Sequence, residues 1–229
     1  MTTLSIKDVS FAFEHRSILN SFSLELSKGE IVALLGPSGS GKTTLFRLIT
    51  QLEKLSSGTI TPEPSKIGYM MQNDLLLPWK TVKENLQLFN CHNEATLREL
   101  LELVNISESL DMYPRELSGG MRQRVSLVRT LLQKQPILLL DEPFSSLDFV
   151  IKEQIYTLIR KRHQQTQQTI LYITHDFHDA LLLADRICLL EDGKIGMQWQ
   201  VPSDLLKNET AFFTMHQAIR EHLRLSHAS

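Results

Sequence analysis

The chain has 229 residues, 42% hydrophobic and 22% charged, proportions that suit a soluble globular protein of one large α/β domain or two small ones. A net charge of −2, from 24 basic and 26 acidic residues, gives no electrostatic ground for a nucleic-acid partner. No apolar run approaches the roughly 20 residues that cross a bilayer, and Met1-Thr2-Thr3-Leu4-Ser5 has neither the basic nor the long apolar region of a secretion signal. Cys91 and Cys188 stand far apart without metal-ligand spacing and read as reduced thiols of a cytosolic protein.

Leu4 and Ile6, then Phe22, Leu24 and Leu26, alternate with polar residues, which predicts half-buried antiparallel strands joined through residues 14–17. Lys28-Gly29-Glu30 turns into Ile31-Val32-Ala33-Leu34-Leu35, a continuous apolar run read as a buried strand. Gly36-Pro37-Ser38-Gly39-Ser40-Gly41-Lys42-Thr43-Thr44 follows and fits G-x-x-x-x-G-K-[ST], the phosphate-binding loop. Leu45, Leu48, Ile49 and Leu52 then recur at helical spacing, so a helix opens near Lys42. Glycines let the backbone approach an anion with its N–H groups inward, and the helix N-terminus adds partial positive charge. In such a loop Lys42 reaches the β- and γ-phosphates and Thr43 ligates Mg²⁺.

Thr59-Ile60 reads as a short strand, and Ile67-Gly68-Tyr69-Met70-Met71 as another ending at Gln72. The period then becomes helical. Thr81-Val82-Lys83-Glu84 matches a capping box, opening a helix expected to bury Leu86 and Leu88-Phe89. Leu97, Leu100, Leu101 and Val104 mark a second helix, and Ser118 can cap a third carrying Val125, Leu127-Val128 and Leu131-Leu132. Residues from about 76 to 133 therefore read as a helical insertion between strands. The sheet resumes at Ile137-Leu138-Leu139-Leu140, followed by a helix through Ile151, Ile155, Leu158 and Ile159 and a strand at 169–173. A short helix at 180–183, a strand at 186–190, a hairpin turn at Asp192-Gly193 and a helical tail from about 203 complete the chain. Strands alternating with helices predict a mainly parallel sheet covered on both faces.

Asp141 and Glu142 end the strand that begins at Ile137. Beside a phosphate-binding loop, the first acid suits Mg²⁺ and the second suits a base that deprotonates water. Gln72 and His175 each follow a strand, and parallel strands bring their C-terminal ends to one ligand-binding edge. Leu117-Ser118-Gly119-Gly120-Met121-Arg122-Gln123-Arg124 reads from its pattern as a capped helix start with a Gly-Gly nest able to bind an anion. This stretch resembles the signature motif of ATP-binding cassette (ABC) ATPases. The loop at 36–43, Gln72, the signature at 117–124, Asp141-Glu142, Ser145-Ser146-Leu147-Asp148 and His175 match that family's elements in order, over essentially the whole chain.

The resemblance implies one ABC-type domain: a P-loop NTPase (RecA-like) core, an antiparallel β portion at about 1–30 and the helical insertion. It implies that residues 36–44 bind ATP and that Thr43, Gln72 and Asp141 serve Mg²⁺. Glu142 would act as base, with His175, Gln72 and Lys42 completing the catalytic set. Ser118, Gly119 and Gly120 would contact ATP bound to a second copy, and Asp148 would lie at that dimer interface. Adenine usually stacks on a Tyr in the family; Phe13 is the residue here, with Phe11 as the competing assignment. At position 179 a Glu is commoner than the Asp of this chain. Leu75-Leu76-Leu77-Pro78-Trp79 is similar to ATPases of nitrate, sulfonate, taurine and thiamine-precursor importers. That implies a peripheral subunit on the cytoplasmic face of the membrane, paired with a permease and a substrate-binding protein. Lipid or lipoprotein export, which shares every catalytic motif, and a soluble non-transport ATPase are the alternatives.

Overall fold

A computed structural model describes residues 2–14, 16–88, 94–205 and 208–226. The strand β1 (Thr2–Phe13) pairs antiparallel with β2 (Arg16–Ser27) on one side and β4 (Ser57–Thr61) on the other. The predicted alternation holds: Leu4, Ile6, Phe22, Leu24 and Leu26 are buried, while Ser21, Ser23 and Glu25 face outward.

The second sheet has six strands, in the order β5 (Ile67–Met70), β6 (Ile137–Asp141), β7 (Thr169–Ile173), β3 (Ile31–Leu35), β8 (Arg186–Glu191) and β9 (Lys194–Gln200). Its first five strands run parallel, and β9 returns antiparallel through Asp192-Gly193. Every residue of β3, β6 and β7 is buried, as in parallel strands covered on both faces. On one face Val32, Leu34, Leu139 and Leu171 pack with Leu45, Phe46 and Ile49 of α1 (Lys42–Ile49) and with the antiparallel sheet. Ala33, Leu140 and Tyr172 face the opposite side and pack with the remaining helices. Arg186 ties the two sheets together, donating to Glu30 Oε1 at 2.7 Å and to the Glu25 carbonyl at 2.7 Å.

Between β5 and β6 lie α2 (Val82–Gln87), α3 (Glu94–Leu103) and α4 (Gly119–Leu131). After β6 come α5 (Phe149–Thr166), α6 (Phe177–Leu183) and the tail helix α7 (Glu209–Ser226). Among the described residues no helix is long and apolar enough to cross a membrane. Two expected core positions are corrected. Leu52 is 54% exposed, because α1 stops at Ile49 and Gln51 turns left-handed at φ 56°. Leu88 is 44% exposed, one residue beyond the end of α2, whose buried side is Val82, Asn85 and Leu86. Phe89 and Cys91 lie outside the described residues.

The capping box at Thr81 is formed, with Thr81 N donating to Glu84 Oε2 at 2.8 Å and Glu84 N donating to Thr81 Oγ1 at 3.3 Å. One turn on, the fully buried Asn85 builds the loop before α2. Its Oδ1 accepts from Leu77 N at 2.8 Å, and its Nδ2 donates to the carbonyls of Leu77, Lys80 and Thr81 at 3.2, 3.1 and 3.0 Å. Removing the amide strands buried backbone groups, each worth about 1–3 kcal/mol when left unpaired. Asn85→Ala is therefore expected to cost about 2–3 kcal/mol, read as a lower denaturant midpoint; an unchanged midpoint would show that the loop does not depend on this amide.

Candidate nucleotide-binding site

The parallel register brings the C-terminal ends of β3, β5, β6 and β7 to one edge: Leu34 and Asp141 both pair with Ile173, and Met70 pairs with Leu140. The residues that follow these strands, Gly36, Gln72, Glu142 and His175, therefore collect along that edge. Gln72 is exposed there, two residues past the Met70–Leu140 pair and so level with Glu142.

The loop of residues 36–41 needs glycine where the backbone is crowded. A Cβ at Gly36 would stand 2.5 Å from the Leu190 carbonyl oxygen. Gly41 has φ 101° and a Cβ there would meet Ile18 Cγ2 at 2.7 Å, so only glycine can make this left-handed entry into α1. Lys42 Nζ curls back over the loop and donates to the carbonyls of Gly36 and Pro37, each at 2.8 Å. Burial pushes the Lys42 amine below its usual range, against the pull of Glu142 and Asp141. Ser38 and Gly39 are exposed, Thr43 and Thr44 are half-buried, and the Ser40 hydroxyl is buried without a hydrogen-bond partner.

Asp141 is fully buried, and neither of its carboxylate oxygens receives a hydrogen bond. Burial pushes its pKa above the usual carboxylate range. The nearby Thr43 hydroxyl, though it makes no full hydrogen bond, works in the opposite direction, and Glu142 adds to the rise. A desolvated carboxylate with no donor, beside a threonine hydroxyl, is the donor set a hard divalent cation takes. The residues present fit Mg²⁺.

Glu142 sits next along the chain with its backbone in the left-handed region, φ 53°. That conformation costs a non-glycine residue about 1–3 kcal/mol and persists where its surroundings hold it. Here Glu142 N donates to the Ile173 carbonyl at 3.1 Å, and Gln123 Nε2 donates to the Glu142 carbonyl at 2.8 Å and to Ser145 Oγ at 2.8 Å. The Glu142 carboxylate, largely buried, lies 2.6 Å from Nδ1 of the exposed His175. The expected base and the expected γ-phosphate contact are thus in direct touch. Gln123 was visible in the sequence only as part of the signature stretch; no spacing rule pointed to the backbone it holds.

The signature residues are elsewhere. Ser118 caps α4, its Oγ accepting from Met121 N at 3.2 Å, and Ser118 and Gly119 are exposed. The nearest atoms to a Cβ at Gly119 or Gly120 belong to Arg122 and Ser146, not to the loop at 36–44. Asp148 is exposed and caps α5 by accepting from Ile151 N at 3.0 Å, with Phe149 and Val150 exposed beside it.

Phe13 is 44% exposed and Phe11 only 7%, their rings edge-on with centroids 4.8 Å apart. The pairing of β1 with β2 shifts register between Phe11 and Ala12, which takes Phe13 off the buried face. Arg16 Nη2 lies 3.9 Å from a Cβ placed at Gly39, so this hairpin end stands beside the phosphate-binding loop. An open cleft of about 1190 Å³, lined by Lys28, Lys66, Pro136 and Gln168 among others, lies at the opposite ends of the strands and holds none of these residues.

Residues 19–145 match the ABC transporter family. The chain is 40% identical over 228 residues to the formylaminopyrimidine import ATP-binding protein ThiZ of Halalkalibacterium halodurans, across 93% of this chain and 90% of that protein. It is 37% identical over 204 residues to the aliphatic sulfonates import ATP-binding protein SsuB 1 of Rhodococcus jostii, across 87% and 83%. Among solved structures, the dimeric ATP-binding cassette MJ0796 in a post-hydrolysis state bound to ADP and Pi superposes with a TM-score of 0.76 at 27% identity, covering 87% of this chain and 99% of that one. An ATP-bound bacterial Atm1-family ABC exporter superposes with a TM-score of 0.77 at 26% identity, covering 94% of this chain and 41% of the exporter chain. With the family matched over more than half of its length and with relatives aligned nearly end to end, the chain belongs to the ABC transporter family, as an ATP-binding subunit that hydrolyses ATP.

Proposed function

We propose that the chain works as a homodimer beneath a membrane permease, driving import of a small anion or a cofactor precursor. One observation carries the dimer: Glu142 and His175 meet in this chain, while Ser118 and Gly119 face outward with no phosphate-binding loop against them. A second copy set head to tail places its signature over the first copy's loop, and the dimeric cassette neighbour supports this arrangement. Import is supported by the relatives, whose names assign them to sulfonates and to formylaminopyrimidine. A substrate-binding protein outside the membrane would deliver the cargo. Bound to its permease, the subunit would lie peripherally on the cytoplasmic face.

In this reading, adenine stacks on the exposed Phe13, and the amides of residues 36–44 with Lys42 hold the phosphates. Thr43, Asp141 and Gln72 would hold Mg²⁺, which neutralises charge on the phosphate oxygens when bound. Glu142 takes a proton from water as its oxygen forms a bond to the γ-phosphorus in line with the β–γ bridge. That bridge bond breaks, and ADP leaves with the bonding electrons. His175, 2.6 Å from Glu142, fixes the carboxylate and reaches the γ-phosphate. Rate enhancement comes from positioning and from charge placed in advance.

Trp79 is 69% exposed and Leu75 55% exposed, on the loop that Asn85 braces. With the core and the helical insertion, residues 73–80 would line a groove that receives a short cytoplasmic helix of the permease, with Trp79 as its anchor.

Glu142→Gln is expected to lower turnover by about 10²–10⁴-fold, the usual worth of a general base, with ATP still bound. Lys42→Ala is expected instead to weaken ATP binding itself. Steady-state hydrolysis and nucleotide titration separate the two, and unchanged turnover in Glu142→Gln would remove it from the role of base. Trp79→Ala is expected to leave basal hydrolysis by the subunit nearly intact while reducing co-purification with the permease and substrate-stimulated turnover. Joint collapse of solubility and basal activity would make Trp79 a structural residue.

A further inference from the structure

The cleft of about 1190 Å³ at the opposite ends of the strands is spacious enough for a ligand of nucleotide size. Its charge is one-sided. Lys28, Lys66, Lys134, Lys161 and Arg162 line it, against the acid Glu99, although the whole chain carries a net charge of −2. Lys161 is matched by Glu99 at 3.4 Å, and Arg162 is engaged within the protein. The surplus is therefore Lys28, Lys66 and Lys134, which pair with no carboxylate among the described residues. Cations after α4 and near the end of α5 suit those helix ends, but Lys28 sits in a turn between two strands. Leu132 and Leu158, both buried, supply an apolar wall, and the largely buried Gln133 also lines the cleft.

We infer that this cleft is a second anion site, separate from the nucleotide edge, for a small molecule carrying several phosphate groups. The start of β7 holds two of the lysine-bearing connections in place. Gln168 Nε2 donates to the carbonyls of Gln133 and Gln135 at 3.0 and 2.7 Å, on either side of Lys134. Thr169 Oγ1 accepts from Gly29 N at 3.0 Å and donates to the Ser27 carbonyl at 3.2 Å, on either side of Lys28. Gly29 closes that turn at φ 68°, where a Cβ would meet Gln167 Oε1 at 2.9 Å. Lys66 immediately precedes β5, whose Ile67 pairs with Ile137 of β6. Since β5, β6, β7 and β3 are successive neighbours, the three lysines are anchored along about 14 Å of one edge. Anchors that far apart suit a ligand with charge on several groups rather than one compact ion. The braced backbone places them before any ligand arrives, so little ordering cost falls on binding.

Isothermal titration of the full chain with inorganic tripolyphosphate tests this, in a Lys42→Ala background that weakens the phosphate-binding loop. One saturable site is expected, with an affinity that falls as salt is raised. Adding Lys28→Gln, Lys66→Gln or Lys134→Gln is expected to weaken it about two- to fivefold each, the range of one solvated ion pair. The three together should weaken it at least tenfold at an unchanged melting temperature. Lys66→Arg and Lys134→Arg, which keep the charge, should retain the affinity. No saturable binding in the Lys42→Ala background, or binding that survives all three glutamines, would overturn the inference. So would an equal loss in the charge-keeping variants. Vesicles of phosphatidylglycerol and phosphatidylcholine offer phosphate from a lipid surface instead. Capture by these vesicles without saturable tripolyphosphate binding would assign the basic edge to a membrane and overturn the small-molecule site.

Discussion

Asp141 is a carboxylate that the fold buries without giving it a donor, and the nucleotide edge is arranged around that fact. Taking an anion out of water costs several kcal/mol unless a cation or hydrogen bonds compensate. Partial compensation comes from outside β6, from Thr43 and Lys42 at the start of α1 and from Tyr69 of β5. The neighbouring strand order makes the meeting possible, since β7 separates β6 from β3 and all three end at the same level. In the proposed reading, a site that is costly for the chain alone would become favourable once a divalent cation and the phosphates of ATP arrive. Folding and binding would thereby be linked through one side chain.

In the proposed mechanism the helix α4 belongs to both halves. Its N-terminus displays Ser118 and Gly119 to the outside. Gln123, on the next turn, fixes the strained backbone of Glu142, and Arg122 and Arg129 hold the loop after Gln72. A single helix thus touches Glu142, the loop after Gln72 and the exposed surface at Ser118. The left-handed conformation of Glu142 gives this a physical reason, because a strained residue keeps its geometry only while its neighbours impose it.

Much of the site was legible because phosphate chemistry constrains residue types within short windows. Gly36, Gly41, Lys42 and Thr43 must stand at fixed spacing, and Asp141-Glu142 must end an apolar run. The buried strands were legible for the same reason, each being a continuous apolar segment. Contacts between distant segments were not. Nothing local in the sequence joins Asp74 to Arg122 or Gln123 to the Glu142 carbonyl, which lie 48 and 19 residues apart. Leu52 and Leu88 misled because helical periodicity ran past the point where the backbone left the helix. Phe11 and Phe13 could not be separated by strand alternation, which puts both on one face; the irregularity after Phe11 separates them in exposure.

The central claim is that the signature of one copy completes the site of another. Mixing two inactive chains tests it most directly. Ser118→Arg keeps its base but offers no usable signature, and Glu142→Gln keeps its signature but has no base. A mixed dimer holds one site with Glu142 from the first chain and Ser118 from the second. ATP hydrolysis is therefore expected to reappear on mixing and to rise to a maximum near equal amounts of the two. A mixture no more active than the sum of its separate components would contradict the account.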